Sequence, residues 1–375
     1  MQASKGLHYE TSPTTPLKAL PVKPKPRVAV IAASLDILGG QGVQADRLMD
    51  SLARDGYDVT FVPINPRFPS GIQSLKKIRF VRTSVNQLLY VPSLMRLASA
   101  DIAHVFSASY WSFLLAPVPA MAVARSLNKR VVLHYHSGEA DDHLSTWGSL
   151  VHPWLRLAHE IVVPSEYLRT VFGRHGYRVR VIPNVVDLSR FGYRDRLPLR
   201  PRLLSARNLE RGYRVDVVLE AFARFKADVP EATLTIAGYG SEERSLRSLA
   251  GSLAGDSVRF VGKIDPEYMP ALYEEADLFV NASVVDNQPV SIIEALSAGL
   301  PVVSTPTGDI RYMLQDGNAG VLVPPDDPTA MAHALLGLWR DPHRAMQLAR
   351  RARRDAAKYT WPAVRERWAE AYTCR

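Results

Sequence analysis

The chain reads as an α/β protein made of two doubly wound parallel-sheet units in series, and three observations carry that reading. Short β-branched apolar runs alternate with longer amphipathic stretches from Arg27 nearly to the C-terminus, the pattern of strands covered by helices. Apolar periodicity lapses over 188-LSRFGYRDRLPLRP-201, where Pro and Arg accumulate as they do in a join between domains. The 375 residues are enough for two cores of ordinary size.

In chain order, residues 1–26 carry Pro and Lys but no apolar segment, and predict a disordered basic lead-in rather than a secretory signal. The first strand is 27-RVAVIAA-33. A helix follows over 43-VQADRLMDSLARDG-56, with Val43, Leu48, Met49 and Leu52 near one face and Gly56 as its stop. Further strands are expected at 59-VTFV-62, 101-DIAHVF-106, 131-VVLHYH-136, 161-IVVPS-165 and 179-VRVIP-183. After the join come 202-RLLSA-206, 233-TLTIAG-238, 258-VRFVG-262, 278-LFVNAS-283, 301-PVVST-305 and 320-GVLVP-324. This places one unit at 27–190, a linker at 191–201, a second unit at 202–356 and a closing segment at 357–375.

Composition narrows the classes. A single cysteine, Cys374, excludes an internal disulfide framework and suits a reducing compartment. The longest apolar run, Phe113 to Ala124, is too short to span a bilayer and contains two prolines. The net charge of +9 is confined to the first third: residues 1–130 hold 16 Lys+Arg against 7 Asp+Glu, and the remainder balances. Within it, 71-GIQSLKKIRFVRTSVNQLLYVPSLMRLAS-99 mixes Lys76, Lys77, Arg79 and Arg82 with Ile78, Phe80, Val81, Leu88 and Leu89. Such a face suits either an anionic membrane or an ordinary buried helix pair with solvated cations. No aromatic-interleaved basic strand points to nucleic acid.

In open α/β sheets ligands bind beyond the carboxyl ends of strands, so chemistry is sought in the loops there. The most informative is 286-DNQPVSIIEALSAGLPVVSTPTGDI-310, where seven residues separate Asp286 from Glu294. Pro289 is expected at the first helical position, which leaves the amides of Val290 and Ser291 and the positive end of the helix dipole to meet a phosphate. Glu294 can accept from a pair of vicinal hydroxyls, Asp286 from another part of the same ligand; simple helix capping by both acids is the alternative. After the first strand, Gly39, Gly40 and Gly42 permit close backbone approach without forming a dinucleotide fingerprint. After 202-RLLSA-206, Arg207 and Arg211 could neutralise a diphosphate or stay solvated. His134 and His136 end a strand; His136, at its edge, suits hydrogen bonding or proton transfer, whereas His134 reads equally as a core residue.

The order of these segments resembles that of one family. GGQGVQADRLMDSLARDGYDVTFV, IVVPSEYLRTVF, VRVIPNVVDLSRF, TLTIAGYGSEERSLRSLA and above all the acidic-x7-Glu stretch after LFVNAS resemble the retaining glycosyltransferases of family four. That resemblance implies the GT-B fold, two Rossmann-like domains facing across a cleft, and transfer of a sugar from a nucleotide-diphosphate sugar with retained anomeric configuration. It implies that Glu294 binds the nucleotide ribose and Asp286 the transferred sugar, that Arg207 and Arg211 hold the diphosphate, and that Gly40 closes over the donor. His136 would contact the sugar. A UDP- or GDP-linked donor, a glycan or lipid-linked acceptor and no metal or other cofactor are implied, and no Asp-x-Asp occurs. The last helix would cross back to the first domain through Trp361, Trp368 and Tyr372. A peripheral place on the inner membrane face fits the basic first third. A catalytically silent partner subunit and a sugar-nucleotide epimerase are the rival readings.

Overall fold

The computed structural model describes residues 24–34, 40–71, 73 and 78–373. Residues 1–23 of the basic lead-in, Gly39, Lys76, Lys77 and Cys374 lie outside them. Six parallel strands form the first sheet: β1 (Val28–Ala32), β2 (Val59–Pro63), β3 (Ile102–Ser107), β4 (Arg130–Tyr135), β5 (Glu160–Val163) and β6 (Arg180–Val181). Six more form the second: β7 (Arg202–Ala206), β8 (Thr233–Ala237), β9 (Val258–Gly262), β10 (Leu278–Asn281), β11 (Val302–Ser304) and β12 (Val321–Leu322). All twelve lie where the apolar runs predicted them. β1 and β3 are buried along their whole length, because helices cover both faces of a parallel sheet and leave no wet side.

Strand order decides where a ligand can sit. The first sheet runs β2-β1-β3-β4-β5-β6 and the second β12-β11-β10-β7-β8-β9. The chain therefore reverses direction beside β1 in one sheet and beside β7 in the other. At such a switch point the loops leaving neighbouring strands part and open a crevice. In the second sheet that crevice lies between β7 and β10, whose exit loops carry Arg207 and Asp286.

Residues 191–201 form a strap rather than a free linker. Arg196 is fully buried and donates to the carbonyls of Tyr273, Ala276, Ala298 and Gly299. Beside it the buried Asp277 pairs with Arg194 and, at 2.8 Å, with Arg200. Burial pushes the Asp277 carboxyl upward, but hydrogen bonds from Arg200 and Arg194 outweigh it and hold the group below the usual carboxylate range. The accumulation of arginine that marks the join in sequence is thus the means by which the join is fastened to the second sheet. The closing helix, Trp361–Thr373, buries Val364, Trp368, Ala371 and Tyr372 against Val28, Val30 and Ile102 of the first sheet. Trp361 is half-buried and donates through Nε1 to Asp55 at 3.0 Å.

Replacing Asp277 by Ala leaves the buried Arg196 guanidinium without its counter-charge. The expected cost is about 3–5 kcal/mol, read as a lowered midpoint in urea denaturation; an unchanged midpoint would remove the strap from the account of stability.

Candidate active site

The carboxyl edges of the two sheets face each other across a cavity of about 610 Å³. Gly40, His136, Ser137, Gly138, Glu139 and Asn184 line it from the first half. The second half supplies Arg207, Asn208, Glu210, Tyr213, Lys263, Asp286, Val290, Ser291 and Glu294, among others.

Arg207 leaves β7 and lies over the Tyr213 ring, its guanidinium carbon 4.3 Å from the ring centre. It pairs with Asp286 and donates to Ser291 Oγ at 3.3 Å, while its buried Nε has no protein partner. Gly238 makes room for this turn: it has φ +149°, and a Cβ there would fall 1.9 Å from the Arg207 carbonyl oxygen. The 238-GYG-240 glycines thus serve backbone packing beside the site. Asp286 accepts from Ser283 Oγ and from the Asn287 amide, each at 3.0 Å. Burial raises its carboxyl above the ordinary value, against the opposing pull of Arg207.

The helix that follows runs Val290–Ala298, and Pro289 is its N-cap with ψ 120° rather than its first helical residue. The offset is one residue. Ile292 and Ile293 donate to the Pro289 carbonyl, so the amides of Val290 and Ser291 head the helix and face the cavity side. Glu294, one turn in, accepts from Arg47 at 2.8 Å and from the Tyr273 hydroxyl at 3.1 Å.

On the first half, Gly40 begins the helix Gly40–Arg54 directly at the cavity. Gly138 meets the second half so closely that a Cβ on it would lie 2.5 Å from the Asp286 carbonyl oxygen. His136 stacks on Phe106 with ring centres 5.1 Å apart, and its buried Nε2 has no protein partner. Behind it, His134 meets His104 at 3.2 Å, and His104 meets the Tyr372 hydroxyl at 2.9 Å. Burial holds His136 at about 3. His104 is also held at about 3, by burial and then by repulsion from His136. The same two causes place His134 well below its ordinary value of 6.5. At neutral pH the His136 ring is therefore uncharged and serves as a hydrogen-bonding group.

Of the residues singled out in sequence, Asp286, His136, Gly40, Arg207, Val290, Ser291 and Glu294 converge on the cavity. Arg211 does not. It opens a single 3-10 turn, Arg211–Tyr213, is exposed, and lines a separate depression with Arg214, Asp216 and Glu242. The turn directs Glu210 and Tyr213 into the cavity and turns Arg211 outward. Lys263, the first residue after β9, lines the cavity instead, with its ammonium 5.7 Å from the Tyr239 ring centre. Its place at the carboxyl end of a strand was the signal that sequence reading passed over.

The fold and site define a sugar-nucleotide-dependent glycosyltransferase of GT-B type. Residues 38–190 match the family described as Glycosyltransferase Family 4, and residues 200–341 the one described as Glycosyl transferases group 1, together most of the chain. The chain belongs to that family. It is 27% identical over 351 residues to the phosphatidyl-myo-inositol mannosyltransferase of Mycolicibacterium smegmatis, a match spanning 88% of this chain and 89% of the relative. To the glycogen synthase of Mycobacterium tuberculosis it is 30% identical over 271 residues, or 68% of this chain and 65% of the relative. Anabaena Alr3699/HepE, solved in complex with UDP, shares the fold with a TM-score of 0.72 at 17% identity, covering 93% of this chain and 100% of that one. Sucrose-phosphate synthase from Thermosynechococcus elongatus does so at 0.73 and 20%, covering 93% and 98%.

The buried imidazoles also predict an acid limit. An unfolded chain takes up protons on these rings as pH falls through about 6.5, whereas the folded chain resists until about 3 for His104 and His136. Their contribution to stability is complete above the higher value and is lost as pH falls below it. Between pH 7 and pH 5 the melting temperature is expected to drop by roughly 5–10 °C, with a shallower slope in His104→Phe; a flat profile in the parent would contradict the burial account.

Proposed function

We propose that the chain transfers a sugar from a nucleotide-diphosphate sugar, UDP- or GDP-linked, to a glycan or lipid-linked acceptor with retention of anomeric configuration. One observation carries this reading: a cation, a helix N-terminus and two carboxylates meet in one cavity at the switch point of the second sheet. Glu294 takes the ribose hydroxyls, and Arg207 with the Val290 and Ser291 amides takes the diphosphate. Asp286 and the neutral His136 take the hydroxyls of the transferred sugar. In the reaction the bond from the sugar anomeric carbon to the phosphate oxygen breaks and its electron pair stays on the phosphate. The acceptor oxygen bonds that carbon from the same face, and its proton passes to the departing phosphate oxygen.

Positive groups placed where that oxygen gains charge stabilise the transition state more than the bound donor. Arg207, Lys263 and the helix start fill this role, and the reading requires no metal. Arg211, turned away, is dropped from it. The crystal complexes of HepE with UDP and with UDP-glucose support a uridine donor. The name of the mycobacterial relative, a phosphatidyl-myo-inositol mannosyltransferase, supports an acceptor carried on lipid.

A lipid acceptor also suits the basic first third. The helix Arg79–Ser93 buries Tyr90 inward but exposes Phe80 (83%), Arg82 and Leu88 (74%), and Arg96 is exposed on the 3-10 segment Leu94–Ser99 that follows. Such a face can lie in the interface of an anionic membrane. Among the described residues no helix is long and apolar enough to cross one.

Binding, kinetic, NMR and sedimentation measurements test these statements. Thermal-shift screening of UDP, GDP and ADP and their sugars identifies the donor. With that donor, Arg207→Met is expected to lower kcat about a hundredfold, EDTA to leave the rate intact, and NMR of the product to show the donor's anomeric configuration. Inversion, or full activity in the Met variant, would defeat the mechanism. For the membrane, the double variant Phe80→Asp, Leu88→Asp is expected to lose most sedimentation with phosphatidylglycerol vesicles while binding nucleotide normally. Equal sedimentation of parent and variant would end that part of the reading.

A further inference from the structure

The Glu294 carboxylate is held from both sides of the cleft. Tyr273, which donates to Oε2, comes from the same half, but Arg47, which donates to Oε1 at 2.8 Å, stands on the helix Gly40–Arg54 of the other half. This ion pair is largely buried, with side-chain exposures of 13% and 9%. Arg47 is itself fixed in place. Its Nη1 donates to the Val185 carbonyl at 3.2 Å. Gln44, nearly one turn earlier, donates to the same carbonyl at 3.0 Å and accepts from the Val185 amide at 2.7 Å. The adjoining Asn184 is bound by Gln288 of the second half through its amide, at 2.7 Å, and its side chain, at 2.9 Å.

A carboxylate offers about four acceptor sites on two oxygens. Arg47 and Tyr273 take one on each oxygen and leave one on each, which matches the two neighbouring hydroxyls of a ribose. A buried carboxylate is also stable only when it is paired and hydrogen-bonded. Arg207 is engaged with Asp286, and Arg47 is the cation in contact with Glu294.

We propose that Arg47 is a positioning residue for donor binding: reaching across the cleft, it orients the Glu294 carboxylate so that the ribose is gripped fully only when the two halves are closed. The proposal rests on the ribose role given to Glu294 above. It couples nucleotide recognition in one domain to the approach of the other through a single guanidinium.

The test is calorimetric binding of the best of UDP, GDP and ADP beside its 2′,3′-dideoxy analogue, in the parent, Arg47→Met, Arg47→Lys and Glu294→Gln. The Met variant is expected to bind the ribonucleotide about tenfold more weakly and the dideoxy nucleotide with unchanged affinity. Lys should recover part of the loss, and its milder change gives a folded variant should Met unfold. Equal weakening toward both nucleotides would make Arg47 a merely structural contact and overturn the proposal. Tighter ribonucleotide binding by Arg47→Met would also overturn it, because Arg47 would then be competing with the ribose. A parent that does not distinguish ribose from dideoxyribose would instead refute the role of Glu294, and the proposal would fall with it.

Discussion

The site depends on a short polar seam that joins the two sheets along their carboxyl edges. Asn287 accepts from Ser165 and donates to the His136 carbonyl at 3.1 Å. Gln288 holds Asn184, and its own side-chain amide donates to Asp309 at 2.9 Å. Asp309 in turn accepts from the Glu166 amide at 3.2 Å. Most of these groups are buried, where each hydrogen bond lost would leave an unsatisfied partner at a cost of about 1–3 kcal/mol. The seam therefore fixes the mutual position of the two halves more sharply than apolar contact alone would. Cavity size, the distance between Arg207 and His136, and the reach of Arg47 to Glu294 all follow from it.

Within that frame two of the cations at the cleft are paired with carboxylates and a third lies against a ring. Arg207 faces Asp286, Arg47 faces Glu294, and Lys263 lies against the Tyr239 ring. In the proposed transfer, a donor's pyrophosphate and sugar hydroxyls would exchange into the two ion pairs. On that proposal positive groups stand beforehand where negative charge would grow, which limits reorganisation during the reaction. The His136 ring, buried against Phe106, stays uncharged at neutral pH.

Much of this was legible in the chain. The twelve strands announced themselves as short apolar runs, most clearly those buried on both faces, which carry mainly Val, Ile, Leu, Phe and Ala. Asp286 and Glu294 stood out because an acid on either side of a helix start is a local feature. The resemblance to the family supplied the roles expected of them. Arg211 misled for an equally local reason: a cation four residues after Arg207 reads as its companion until the intervening turn is seen. In DNQP, Asn287 and Gln288 carry no visible purpose until their partners arrive from Ser165, Asn184 and His136, more than a hundred positions away.

Strand order and side-chain partnership across the cleft belong to the tertiary structure alone. Sequence by itself determined which segments are strands and helices, which loops hold polar residues, and the family to which the chain belongs, because periodicity, capping and motif spacing are properties of neighbours along the chain. It did not determine that Arg47 would meet Glu294, that Lys263 would replace Arg211 at the cavity, or that three histidines would pack together beneath it. Those contacts join residues from separate strands and separate halves. They exist only once two sheets have closed on one another, and the balance of burial against pairing that settles them has no counterpart in any local stretch of the chain.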